Sequence, residues 1–225
     1  HLGSRDRKAV LERKLQQIYR TTPYRLANLL GRLTDGRRDD QVLLCALTNA
    51  ELVQSWVELL LEAQVPIAGV YSIALLAPPL LKALQIKGKH ALWVSFQANA
   101  GWRQTYCHDG RLRFSRLTPQ SGTPTSAALL AEEIGKTYQY LESLNSFSSA
   151  EVLEIHVLSE ASAHPSLRAQ LLDTARLRYV FHDLRTAAAR LGLSYGADAN
   201  DATPLYLRVL NRTPGVEQFA PSAQR

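Results

Sequence analysis

The stretch LWVSFQANAGWRQTYCHDGRLRFSRLTP, from Leu92 to Pro119, constrains the fold most. Asp109-Gly110 stands between two runs of strand-forming residues, the signature of a tight β-hairpin. Strands are expected at Ala91–Gln97, Arg103–Cys107 and Arg111–Leu117. The polar loop TPQSGTPTS follows, then a long helix from Ser126 to Leu144 with Leu130, Ile134, Tyr138 and Leu141 at helical spacing. VLEIHVLS and RYVFHDL read as strands, HPSLRAQLLDTARL and RTAAARLGLSYG as helices, and ATPLYLRVLNRTP as an apolar segment of unassigned type. The order β-β-β-α-β-α-β-α gives an α/β fold, a mixed sheet with helices on its faces.

Upstream the pattern is α-β-α-(β)-α. Leu11, Leu15 and Ile18 mark a helix over Arg5–Arg20, ended by Pro23, and RLTDGRRDD reads as a polar turn. QVLLCALT has strand length, and Thr48-Asn49 offers a cap for the helix AELVQSWVELLLEAQ. Leu52, Trp56, Leu59 and Ala63 fall on one face of that helix, so Trp56 is expected in the core. A strand-like piece through Val70 leads to a further helix, with Pro78 and Pro79 expected at its start. KGKH at 87–90 is the clearest internal boundary. The expected division is a tag remnant at 1–4, a first, incomplete subdomain at 5–86, a second at 87–211 and a fraying polar tail at 212–225.

Of 225 residues, 46% are hydrophobic, enough for a sizeable core. The net charge of +6 fits a nucleic acid, an anionic membrane face or an acidic partner, with a merely solvated basic surface as the plainer expectation. Cys45 lies in an apolar run and Cys107 in the hairpin, without zinc-ligand spacing, so no metal and a reduced, cytoplasmic protein are expected. No run of about 18 apolar residues marks a membrane span. HLGS reads as a tag scar and the chain contains no methionine, so a fragment of a longer protein is expected.

Three stretches resemble the PilM and GspL family, the bacterial actin-like proteins of type IV pilus and type II secretion assembly. They are VLLCALTNAELVQSWVELLLEAQVPIAGVYSIALLAPPLL, the hairpin stretch with its G-x-L-x-F-x-R element (Gly110 to Arg116), and LAEEIGKTYQYLESL followed by EVLEIHVLS. Together they span most of residues 42–160. The resemblance implies a ribonuclease H-like, actin-like ATPase fold in a truncated two-subdomain form. It also implies a site for ATP with Mg²⁺, in which a carboxylate and glycines of the first hairpin would meet the phosphates. Here that tip reads Gln97-Ala98-Asn99-Ala100-Gly101, so Gln97, Asn99 and Gly101 mark a degenerate phosphate loop. EASAHP lacks the Gly-Gly turn that nucleotide-binding members place after the next strand.

The expectation is therefore a non-catalytic docking or scaffold domain without cofactor. It would lie on the cytoplasmic side, in an inner-membrane-associated assembly. Its partners would be proteins, met through strand addition at a sheet edge, with a homodimer also open and the membrane reached only through segments outside the chain. The alternatives are an ATP-binding protein with its phosphate loops upstream, and a basic nucleic-acid module.

No catalytic residue is expected. His108-Asp109 and His182-Asp183 are adjacent in sequence, and neighbours on a strand point to opposite faces. His156 should face away from Ile155 and Val157. Glu132 and Glu133 with Lys136 read as a surface ion-pair cluster on a helix. Trp93 and Trp102 could stack bases but are expected to pack. Arg103, Arg111, Arg113 and Arg116 concentrate charge on the hairpin and are the candidate partner-binding residues, with Arg111 and Arg113 opposite Leu112 and Phe114.

Overall fold

Every residue of β3 (His90–Gln97) is buried, as a strand covered on both faces must be. The computed structural model describes residues 4–32, 39–120, 126–196, 200–213 and 215–221. The expected tag remnant, most of RLTDGRRDD and TPQSGTPTS, and the end of the tail lie outside the described residues. By its contacts the chain divides into two units, Ile73–Val216, and His1–Ser72 with Glu217–Arg225.

In the Ile73–Val216 unit, β3, β4 (Gly101–His108) and β5 (Arg111–Pro119) form an antiparallel meander, with Leu92 opposite Tyr106 and Tyr106 opposite Phe114. Asp109 and Gly110, at φ 49° and 70°, make the turn that Asp-Gly foretells. β6 (Leu153–Ser159) and β7 (Leu177–Asp183) join in parallel on the other side of β3, giving the order β5-β4-β3-β6-β7. This order, with these directions, is a ribonuclease H-like sheet, as the family resemblance implies.

Alternation sends the β3 side chains to two separate cores. Leu92, Val94 and Phe96 pack with Tyr106, Ile155 and Val157 against Leu130, Ile134 and Leu141 of α4 (Ala127–Ser143). Ser126 caps that helix, its hydroxyl accepting from Leu129 N at 3.4 Å. On the other face Trp93, Cys107 and Leu158 pack against α3 (Ile73–Ala83), α6 (Leu184–Arg190) and α7 (Thr203–Arg212). The apolar segment of unassigned type is thus α7, with Leu205, Tyr206 and Val209 buried.

The unit begins at Ile73 rather than at residue 87 because α3 belongs to its core. Leu76, Ala77, Leu80 and Leu81 are buried there. Pro78 and Pro79 sit inside α3, not at its start. Each proline lacks a helical N–H, at a cost of about 3 kcal/mol in an ordinary helix, and burial of the leucines offsets it.

In the other unit, α1 (Ser4–Ile18) precedes a two-stranded antiparallel sheet of β1 (Arg25–Arg32) and β2 (Asp40–Ala46), followed by α2 (Glu51–Glu62). β1 was not expected. Its apolar residues do not alternate, and the register slips between Leu29 and Gly31. No strand forms between α2 and α3, where a strand-like piece through Val70 was expected, and neither Thr48 nor Asn49 caps α2, whose N-cap is Ala50 without a side-chain bond. The Tyr24 ring is fully buried and its hydroxyl donates to Gln54 of α2 at 2.8 Å. Residues 217–221 do not fray. Phe219 and Ala220 are buried, and Phe219 N donates to Val70 O at 2.8 Å.

Trp56 overturns its expectation. It is 67% exposed, with Leu52 at 67% and Leu59 at 55%. The face that periodicity assigns to the core points to solvent, and α2 buries Val57 instead.

Candidate functional site

The tip between β3 and β4 is held from below by a buried polar chain. Gln97, 2% exposed, donates through Nε2 to Ser95 Oγ at 2.9 Å. Ser95 Oγ is 2.7 Å from the Tyr206 hydroxyl, which accepts from Trp93 Nε1 at 2.9 Å. Gln97 therefore points into the core, while Asn99 is exposed at the turn. Gly101 has φ +117°, and a Cβ there would stand 2.2 Å from Thr118 O. The tip's one glycine serves the close approach of the end of β5.

A carboxylate does reach the tip, though not from the hairpin. Asp201 Oδ1 accepts from Ala98 N at 3.3 Å. The same oxygen accepts from Thr203 N at 2.9 Å and Thr203 Oγ1 at 2.7 Å, so it serves as a brace for the start of α7.

Beside the tip, at the carboxyl ends of β3 and β6, lies a cleft of about 260 Å³. Parallel strands place ligand sites at such ends. Phe96, Trp102, Leu158 and Leu167 form its walls, with Ser159 and Glu160 at its polar edge. Among the described residues no lysine or arginine lines it. Instead of a glycine turn, a 3₁₀ turn (Ala161–Ala163) follows Glu160. Asp183 holds that turn by accepting from Ala161 N at 3.2 Å, and caps α6 by accepting from Thr186 N at 2.9 Å. Burial opposes ionisation of Asp183, but the donors of Thr186, Ala161 and Arg185 outweigh it and hold the carboxyl below its ordinary value.

The four arginines do not form one patch. Arg103 sits on the face of Thr105 and reaches Ser115 Oγ at 3.4 Å. Arg116, opposite Gln104 on the α4 side, pairs with Glu133. Lys136 has the largest effect on the Glu133 carboxyl; burial opposes it, and Thr118 and Arg116 help Lys136 to keep the carboxyl below its ordinary value. Lys136 also pairs with Glu132 at 2.7 Å, so the acids and lysine of α4 form the expected cluster. Arg113 occupies a bulge, so Leu112 pairs with Cys107 and Phe114 with Tyr106. Leu112 and Phe114 consequently lie on opposite faces, where simple alternation had put them together.

Trp93 and Trp102 are both buried, at 0% and 4% exposure. His108 Nε2 does meet Asp109 Oδ2, at 3.3 Å, because Asp109 is in a left-handed turn and not on a strand. Asp183, in contrast, faces away from His182, which bonds His156 across β6 and β7. Sequence reading missed one constellation. His90 Nδ1 lies 2.7 Å from the Tyr106 hydroxyl and its Nε2 3.2 Å from Glu151. Lys89 first, then Ser148 N and His90, hold Glu151 well below the usual carboxylate range. Burial raises the Tyr106 phenol far above its ordinary value, which suits a structural hydroxyl better than an activated one.

The sheet order and the two helical layers define an actin-like domain with a ribonuclease H-like core. No family model matches the chain, and no curated protein matches it. Among solved structures the chain is similar to one in a "PilM-PilN type IV pilus biogenesis complex", with a TM-score of 0.50 and 17% identity over 96% of this chain and 74% of that one. It is also similar to a Bacteroides thetaiotaomicron protein of actin-like ATPase fold and unknown function, with a TM-score of 0.39 and 14% identity over 76% of this chain and 59% of that one. The first likeness shows a PilM-like fold, in agreement with the resemblance carried by residues 42–160. Among the described residues no helix is long and apolar enough to cross a membrane.

Proposed function

We propose that the chain is a docking domain of a pilus- or secretion-type assembly, using an actin-like fold for protein contacts without nucleotide chemistry. The observation that carries the reading is the state of the hairpin tip. Gln97 is turned into the core and Gly101 is taken up by contact with β5. The residues present do not fit a nucleotide's phosphates. Glu160 would repel them, and the described cleft lining supplies no cation. The similar solved structure is of a complex named for PilM and PilN, which supports a protein partner in such an assembly. A place on the cytoplasmic side of the inner membrane belongs to the same proposal.

The test is a melting curve with and without millimolar Mg-ATP, on this chain and on the longest available form of the protein. A ligand that binds only the folded state raises the melting temperature. No shift in either supports the docking reading. A shift in this chain overturns it, and a shift only in the longer form places the phosphate loop outside these residues and overturns it too.

A further inference from the structure

The exposed face of α2 has a chemical character of its own. At about 100° per residue, Leu52, Trp56, Leu59 and Ala63 form one stripe along the helix. Glu51, Glu58 and Glu62 fall in a single file along one flank of that stripe. α2 carries no lysine or arginine, although the chain as a whole has a net charge of +6. Glu51 and Glu62 have no ionic partner among the described residues, and Glu58 accepts only the Gln54 amide, at 2.7 Å. The other flank, with Val57, is the side the helix buries. An exposed tryptophan between two exposed leucines is a hot-spot composition.

From this we infer that the outer face of α2 is a docking surface for a Lys/Arg-rich amphipathic helix of a partner protein. The partner's apolar side chains would cover Leu52, Trp56 and Leu59, and its cations would run along the glutamate file. This deepens the docking reading and rests on it. Charge complementarity selects this occupant over two others. A second copy presenting the same face would add a second row of glutamates. An anionic bilayer favours helices whose apolar face is flanked by lysine and arginine, the reverse of what α2 offers.

The test uses the whole chain and a short synthetic Leu/Lys amphipathic helix, with a Leu/Glu helix of the same pattern as control. Trp56 is the one exposed tryptophan of three, so a blue shift of its emission reports contact. The Lys peptide should bind and the Glu peptide should not, with affinity falling as salt rises. Read by the fluorescence anisotropy of a dye-labelled peptide, since the variant lacks the reporting indole, Trp56→Ala should weaken binding by on the order of tenfold or more and leave the melting curve unchanged. Reversing the file (Glu51→Lys, Glu58→Lys, Glu62→Lys) should exchange the preference of the two peptides.

Equal binding of both peptides, no binding of the Lys peptide, or indifference to Trp56→Ala would overturn the inference. So would a dimer in sedimentation that Trp56→Ala dissolves, or Trp56-dependent binding to vesicles of anionic lipid. None of these results depends on the Mg-ATP melting test, so a failed surface and a failed docking reading are told apart.

Discussion

His156 Nδ1 lies 3.0 Å from His182 Nε2, joining β6 and β7 through one buried and one half-buried imidazole. Such a bond needs one nitrogen with a proton and one without. Burial lowers both rings from 6.5 to about 4, and for His182 the neighbours His156, Arg190 and His164 add to it. Glu154, 3.7 Å from His156 Nε2, is the one carboxylate placed against the pair among the described residues. The folded state thus binds fewer protons than the unfolded chain between these values, so stability falls as pH falls. The contribution is fully present above pH 6.5 and is lost by about pH 4. Melting temperatures across that window should slope downward with acid, and the double variant His156→Leu, His182→Leu should flatten that slope. An unchanged slope in the double variant would refute the assignment.

Gly101 and Gly110 both have positive φ, and replacement by alanine should separate them. A Cβ at Gly101 would meet backbone 2.2 Å away, whereas at Gly110 nothing lies within 4 Å. Gly110→Ala should cost about 1 kcal/mol, the ordinary left-handed penalty. Gly101→Ala should cost ~3 kcal/mol, since β5 must move. Urea titrations of the two variants check the ranking.

Tyr206→Phe removes the acceptor of Trp93 Nε1 and the partner of Ser95 Oγ, all inside the core. A buried indole N–H left without an acceptor costs about 1–3 kcal/mol. The variant should melt lower, and the Trp93 indole proton should shift markedly in an NMR spectrum where Trp56 does not.

Both cysteines are free, and neither should be reactive while folded. Burial pushes Cys107 up to about 12, and burial followed by Glu217 pushes Cys45 up to about 11. Alkylation at pH 8 should run on the order of a hundredfold or more below free cysteine, because the thiolate is the nucleophile. Denaturant should restore the ordinary rate at both positions.

The central meander was legible because three signals agreed: period-two strands, an Asp-Gly turn, and a helix with a regular apolar stripe from Leu130 to Leu141. β1 was not, because Leu26, Ala27, Leu29 and Leu30 fit neither period and a bulge interrupts the register at Gly31. Pro78 and Pro79 misled because local rules place proline at helix starts, and the gain that overrides them comes from a core assembled by distant segments. Trp56 marks the deeper limit. Periodicity shows that a helix has an apolar face, and it is silent on whether the chain itself covers that face. At the tip, the missing carboxylate was readable at Gln97, but Asp201 bracing Ala98 was not, being 103 residues away along the chain. His90, Tyr106 and Glu151 likewise converge only once β3 is paired with both β4 and β6.

Residues 217–221 lie against Val70, so one unit is written in two pieces with the whole of the other between them. On the ribosome this fixes an order of events. The sheet of β3 to β7 has all its sequence available before Phe219 emerges, while the unit begun earlier waits for residues 217–221. A nascent chain stopped at Val216 would carry every element of the sheet and still lack the buried Phe219 and Ala220. Emergence of residues 217–221, rather than synthesis of the segment from α1 to Ser72, is the step that completes the unit holding β1 and β2.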